Sequence, residues 1–426
     1  MKSTRRSFLP QSLLAMFASV PGFRLCAAEK QKFPGWKPGE MDLHFIYTGC
    51  GENCFFRLPD GTAVLNDVGE FYRPRDLRHI PLLPYAKKLG GEWVSRYIRE
   101  MYSGKELDYA AFSHWHADHI GHATYDKPSR PEANFRFKTL PDGRKVNGFL
   151  CVAEDFKVRR HIDHEYPEWG KYKTSDTSFK LLTEWVEGQR ANGLESIGLK
   201  PGALNQIALQ RDPAKYPDFS VRTLCANGRV WDGKDGVRDC AGDSLKVKPK
   251  FRPSANSLSA AYLYKYGKFS FFTGGDVSGK FLNPDGSTYD YDALVGKVAG
   301  PVTLCKMNHH GCSDAMSEAF VRQVKAQTYV SCIWCPGQVN DVTMNRMSSA
   351  EIHGGQKPLI IPNLMPARQA MMYNGRPFMS NIPVQTAEGV HVVVKVFPGG
   401  DRYRVYLLNA ASENMWVLAT FDRETV

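Results

Sequence analysis

Ser113-His114-Trp115-His116-Ala117-Asp118-His119-Ile120-Gly121-His122 is the stretch on which the reading of this chain turns. From His114 to His119 it has the form H-x-H-x-D-H, three histidines and one aspartate in six residues. Leu107-Asp108-Tyr109-Ala110-Ala111-Phe112, just before it, reads as a short buried strand. In an extended segment His114, His116 and Asp118 point to one side. If the chain turns after His116, a first helical turn aims Asp118 and His119 at a second point nearby. Imidazole and carboxylate are ligands that first-row divalent metals accept at about 2 Å. Burying four such groups unpaired is costly, so a metal site is the reading that accounts for them together.

Upstream, Leu43-His44-Phe45-Ile46-Tyr47, Cys54-Phe55-Phe56-Arg57-Leu58 and Ala63-Val64-Leu65-Asn66-Asp67-Val68-Gly69 read as strands, with a Pro59-Asp60-Gly61 turn before the third. Glu92 to Tyr102 is an amphipathic helix with Trp93, Val94, Tyr97 and Ile98 on its inner face. Downstream, a polar segment holds a helix from about Ser175 to Ala191 and a hairpin turning at Asn227-Gly228. A second hairpin, Ala260 to Lys268 and Phe269 to Thr273, ends in Gly274-Gly275-Asp276. A carboxylate on such a glycine turn can bridge two metals. Val302 to Met307 is a further strand, ending in Asn308-His309-His310-Gly311. Residues 336 to 385 carry no clear periodicity. Val390 to Val396 and Tyr403 to Leu408 form a last hairpin.

Asp67, the H-x-H-x-D-H stretch, Asp276 and a late histidine occur in the order used by the metallo-β-lactamase fold hydrolases, which the chain resembles over about 41–335. Asn256-Ser257-Leu258-Ser259 and His309-His310-Gly311 resemble the branch with ComEC-type competence proteins and bacterial choline-phosphate esterases. The resemblance implies an α/β protein, the metallo-β-lactamase αββα sandwich of two mixed sheets flanked by helices. It implies a catalytic domain over 41–335 with an insertion at about 123–250, then a C-terminal extension over 336–426 completing the sheet edge. It places Asp67 behind the ligands, His114 and His116 on a first metal, and Asp118, His119 and a late histidine on a second, with Asp276 bridging. His310 is the favoured late ligand, and His309 faces the substrate. Strand alternation would put the two on opposite sides, so that only one of them is a ligand. Many relatives have a histidine at the position of Asn256; Asn256, His161 and His164 are the candidates for the first metal's third ligand. His122 is expected at the rim.

The implied activity is hydrolysis of a phosphodiester or phosphate ester by metal-bound hydroxide, with Asp118 and His309 as catalytic groups. The cofactor expected is Zn2+, as one or two ions, with Mn2+ or Fe as substitutes. A lactonase or β-lactamase, an envelope nucleic-acid processing protein and a non-catalytic metal-binding protein are the rival readings. Nucleic-acid binding asks for a clustered basic groove, whereas the sequence shows only scattered runs such as Arg159-Arg160 and Lys246-Val247-Lys248-Pro249-Lys250.

The chain has 426 residues, 42% hydrophobic and 23% charged, with a net charge of +11. That is an ordinary globular composition, and no apolar run is long enough to span a membrane. Arg5-Arg6 followed by Phe8-Leu9 and a modest apolar stretch resembles a twin-arginine export signal over 1–28, followed by a linker at 29–40. The resemblance implies a periplasmic or secreted bacterial protein that meets the twin-arginine translocase and acts on a small-molecule or phosphorylated envelope substrate. Loss of Lys2, Arg5, Arg6 and Arg24 would reduce the charge to about +7, a mild bias toward anionic substrates. The ten cysteines show no zinc-ribbon spacing and read mostly as small buried apolar residues.

Overall fold

Met41–Phe45 shows how the layers arise. Side chains alternate across a strand. Met41, Leu43 and Phe45 enter the apolar layer between two sheets, while Asp42 and His44 point outward to Lys395 and Tyr97. The computed structural model describes residues 23–26, 30–71, 73, 76–124, 136–173 and 178–426. The twin-arginine motif and the start of the helix expected from about Ser175 lie outside the described residues.

The first sheet has ten strands, in the order Phe23–Leu25, Val417–Glu424, Arg402–Asn409, Val390–Val396, Met41–Phe45, Asn53–Arg57, Ala63–Val68, Glu106–Phe112, Lys157–Asp163 and Glu195–Gly198. The second has eight: Val237–Asp239, Arg229–Trp231, Phe219–Ala226, Ala261–Tyr266, Phe269–Thr273, Leu304–Lys306, Thr328–Ser331 and Leu359–Pro362. Both are mixed, with antiparallel hairpins at one end and parallel strands at the other. Phe56, Phe271, Leu304 and Val392 meet in the layer between them; each such burial stabilises the fold by about 1.5–3 kcal/mol.

Helices cover both outer faces. Gly90–Met101, Phe149–Ala153 and Phe179–Arg190 pack on the first sheet through Ile98, Phe149 and Leu182. Cys240–Val247, Tyr291–Ala299, Glu318–Val324 and Asp341–Met347 pack on the second through Ala241, Val295, Phe320 and Met344. The result is the αββα sandwich. Among the described residues no helix is long and apolar enough to cross a membrane. All ten cysteines are free thiols.

Three features differ from the sequence reading. The stretch taken as an insertion supplies Lys157–Asp163 and Glu195–Gly198, which extend the first sheet in parallel. Val390–Val396 lies inside that sheet, paired with Met41–Phe45 and Arg402–Asn409, rather than capping its edge. The edge is made by Phe23–Leu25 against Val417–Glu424. Residues 336 to 385 contribute Leu359–Pro362, a fully buried strand that pairs in parallel with Thr328–Ser331.

Candidate metal centre

The parallel strands of both sheets end at one crevice, the position where open α/β sheets present ligand-binding loops. Asp67 closes Ala63–Val68, and His114 follows Glu106–Phe112. Asp276 follows Phe269–Thr273, and His310 follows Leu304–Lys306. The chain turns after His116 into the short helix Ala117–Ile120, with His116 at its N-cap position. That turn separates His114 and His116 from Asp118 and His119.

The Gly274-Gly275 turn is forced by a close approach. Gly275 has φ +52°, and a Cβ there would lie 2.3 Å from the Cβ of Ser113. Only glycine lets the turn seat Asp276 against the histidine loop.

The carboxylate oxygens of Asp276 face different groups. Oδ1 lies 3.2 Å from His119 Nε2 and 3.5 Å from His310 Nε2. Oδ2 lies 3.8 Å from His114 Nε2 and 3.8 Å from His309 Nε2. Asp118 Oδ2 completes the first of these clusters, 3.3 Å from His310 Nε2 and 3.8 Å from His119 Nε2. On the other side His114 Nε2 and His116 Nδ1 are 3.0 Å apart. Ligand atoms about 2 Å from a tetrahedral metal stand about 3.3 Å from one another, so these separations suit a cation on either side of Asp276. His119 Nε2 and Asp276 Oδ1 are also buried without a hydrogen-bond partner. Buried orphan atoms of this kind mark an ion or water position. The residues present therefore fit metal ions.

The second row of contacts orients each ring. Asp67 Oδ2 accepts from His119 Nδ1 at 3.0 Å and from the Ser113 hydroxyl at 2.7 Å, and Asp67 Oδ1 accepts the Ser113 N–H at 2.8 Å. His310 Nδ1 donates to the Cys332 carbonyl at 2.7 Å, and Ser113 Oγ lies 3.1 Å from His114 Nδ1. These bonds turn Nε2 of His114, His119 and His310 inward, as metal-binding histidines require. Burial holds the His114 imidazole well below its usual pKa, and His119 and His116 push it the same way. For His119, burial is outweighed by Asp276, Asp67 and Asp118, which raise its pKa well above the ordinary range. For Asp118, burial is outweighed by His310 and His119, which bring its carboxyl down to about 2.

His309 and His310 do not alternate as on a strand. Both adopt left-handed backbone, with φ 46° and 53°, a conformation that costs a non-glycine residue about 1–3 kcal/mol. Both rings thereby reach Asp276, one at each oxygen. His310 is buried, whereas the His309 side chain is 23% exposed and its Nδ1 is held by Asp314 at 2.7 Å. Asn256 is engaged by His309, its Nδ2 3.1 Å from His309 Nε2. Neither His161 nor His164 joins the His114, His116 and Asp276 cluster. His161 pairs with Asp163 at 2.9 Å, and the His164 ring packs on Trp115 at 5.1 Å. His122 is half-buried beside Phe137.

Three residues at the centre were missed by the sequence reading. Glu52 falls in one cluster with His119, Asp276 and His310, but its Oε2 is engaged by Lys306 Nζ at 2.6 Å. Trp334 donates its indole N–H to His310 Nε2 at 3.2 Å. The available signal was a lysine inside the apolar strand Leu304–Lys306, since a buried lysine demands a partner.

No protein-family model matches the chain, and no curated protein matches it. Among solved structures it is similar to a mutant form of the CmlA beta-hydroxylase, with a TM-score of 0.37 and 12% identity, over 76% of this chain and 52% of that one. The chain thus spans about half the length of that structure.

Proposed function

We propose that the protein is a metal-dependent hydrolase of phosphodiester or phosphate-ester bonds. The observation that carries the reading is the division of Asp276 between two groups of ligand atoms, His119, His310 and Asp118 at one oxygen, His114 and His116 at the other. Zinc is the metal first proposed, with manganese or iron as alternatives, because the set combines imidazole nitrogen with carboxylate oxygen and holds no thiolate. Bound metal ions would supply an activated water and neutralise charge building up on the reacting oxygen.

The chain's own groups supply the rest. Asp118 and Asp276 stay ionised at neutral pH, because the neighbouring histidines outweigh the burial that opposes their charge. His309 is the proton donor to the leaving oxygen. Burial works against its charge, but Asp276 and Asp314 raise its pKa to about 9. With Nδ1 bound to Asp314, the proton sits on Nε2, 3.1 Å from the Asn256 amide, whose oxygen accepts it when the amide is turned over. The net positive charge favours an anionic ester over a lactam. Arg5-Arg6 and the apolar stretch after them support export to the periplasm.

The test is turnover of a chromogenic phosphodiester by the metal-loaded protein, beside phosphomonoester, lactone and β-lactam substrates. His116→Ala and Asp276→Ala should each abolish the phosphodiester activity. Unchanged turnover in both variants, or activity confined to the lactone or lactam, refutes the reading.

A further inference from the structure

Below the metal-capable cluster lies an ion pair that joins the two sheets. Lys306 and Glu52 are both fully buried, with Nζ and Oε2 2.6 Å apart. Lys306 sits in Leu304–Lys306 of the second sheet, and Glu52 lies in the loop between Met41–Phe45 and Asn53–Arg57 of the first. A buried ion pair is expensive to desolvate and is a weak device for stability alone. Its location calls for another account.

Each end of the pair holds a segment that carries ligand atoms. Lys306 Nζ also donates to the Gly275 carbonyl at 2.7 Å, the peptide that leads into Asp276. The backbone N–H of Glu52 donates to the Asp118 carbonyl at 2.8 Å, and the Glu52 carbonyl accepts from Gly69 N at 2.9 Å, two residues after Asp67. Glu52 Oε2 lies 3.8 Å from His310 Nδ1, and Lys306 precedes His310 by one short turn. The pair thus touches the segments bearing Asp118 and His119, Asp276, and His310. Those four side chains form the cluster on the Oδ1 side of Asp276. His114 and His116, on the other side, make no contact with it.

We infer that Lys306 and Glu52 are positioning residues for the cation held by Asp118, His119, Asp276 and His310. Lys306 sets the Gly275-Asp276 turn through the carbonyl, and Glu52 fixes Lys306 while anchoring the Asp118 loop. This inference rests on the metal-centre reading above. It assigns Glu52 a role through Lys306 rather than as a ligand.

The experiment is Zn(II) titration of the full chain by chelator competition, with elemental analysis and melting of the metal-free protein, for the parent, Lys306→Met, Glu52→Gln and the double variant E52Q/K306M. Loss of a partner contact behind a metal ligand weakens metal binding by about 10–100-fold. Lys306→Met should weaken one of two Zn(II) equivalents by that amount and the other, which shares Asp276 through Oδ2, by less. Glu52→Gln keeps an acceptor for Lys306 and should have the smaller effect. The double variant buries no lone charge; its metal-free form should melt as the parent does, yet bind the same equivalent weakly. Full-strength binding of both equivalents by the folded double variant overturns the inference. So does loss of an equivalent in Glu52→Gln with both retained in Lys306→Met, which makes Glu52 a ligand. A parent that binds no Zn(II), Mn(II) or Fe(II) overturns the metal-centre reading itself, and this inference with it.

Discussion

Replacing Asp67 by Asn tests how far the contacts behind the ligands set metal affinity. Asp67 is fully buried and accepts three hydrogen bonds, from Ser113 N, Ser113 Oγ and His119 Nδ1. Its φ is +57°, a conformation Asn tolerates better than other replacements, so the variant changes charge without adding backbone strain. The His119 ring loses the anion that orients it and makes its Nε2 basic. A loss of this kind costs about 10–100-fold in affinity, about 1.4–2.7 kcal/mol. A second effect opposes the first. In the metal-free protein Asp276, Asp67 and Asp118 together hold the His119 pKa well above its ordinary value against burial, so a proton competes with the metal. Removing the Asp67 charge lowers that pKa and weakens the competition. At neutral pH the two effects partly cancel, and the loss should lie near tenfold. As the pH is raised toward the point where the parent sheds that proton, the offset shrinks, so the ratio of parent to variant affinity should grow with rising pH. Chelator-competition titration with Zn(II) across a pH series measures it. Equal affinity in parent and variant, or a ratio that shrinks with rising pH, refutes the reasoning.

Other perturbations follow from single contacts. A cation on His310 Nε2 takes the lone pair that now accepts the Trp334 indole N–H at 3.2 Å, so Zn(II) titration should shift tryptophan emission. Trp334→Phe should abolish that shift and tighten binding by about tenfold or less, the worth of one hydrogen bond; an unchanged shift in the variant rejects it. His391 is buried, its Nδ1 accepts the Tyr47 N–H at 3.1 Å, and burial alone lowers its pKa to about 3. The unfolded chain therefore binds one more proton between pH 6.5 and 3, and stability falls as pH drops through that window. The loss attributable to His391 between about pH 6.5 and about pH 4.5 is about 2.3 kcal/mol. His391→Asn keeps an acceptor and should flatten that slope in urea melts; a slope identical to the parent's rejects it. Lys395→Met leaves the carboxylates of Asp42 and Glu40, 2.8 Å and 2.6 Å from Nζ, without their buried cation, and should destabilise by about 3–5 kcal/mol. A urea midpoint that does not move excludes that cost.

What the sequence disclosed follows from how local each signal was. The H-x-H-x-D-H stretch carried both its ligands and the turn after His116 within a few residues. The Gly275 turn was readable because glycine is the residue that turn requires. The alternation of Met41, Leu43 and Phe45 marked an inner face. The strand Leu359–Pro362 was not readable: four apolar residues ending in proline carry no period, and the parallel partner Thr328–Ser331 makes them a strand. The last strand, Val417–Glu424, turns Ala419 and Phe421 inward, but a register shift sends Val417 to the opposite face, and Asp422, Arg423 and Glu424 obscured the rest. The expected alternation of His309 and His310 failed because both residues are left-handed, a choice made by the turn and invisible in the residue types. Glu52 and Lys306 are 254 positions apart, and nothing in either neighbourhood names the other.

The two sides of Asp276 are unequal, and that inequality bears on chemistry. The Oδ1 side brings together four protein groups, with Asp118, His119, Asp276 and His310 all buried. The Oδ2 side has His114 and the partly exposed His116, and Asn256 is paired with His309. Closed four-ligand sites hold metals structurally, whereas catalytic sites keep a position open. His309 is the imidazole of the centre that combines a carboxylate partner at its far nitrogen with a partly exposed side chain. With its amide 3.1 Å from His309 Nε2, Asn256 therefore reads less as a missing ligand than as the partner that holds the His309 ring from one end while Asp314 holds it from the other.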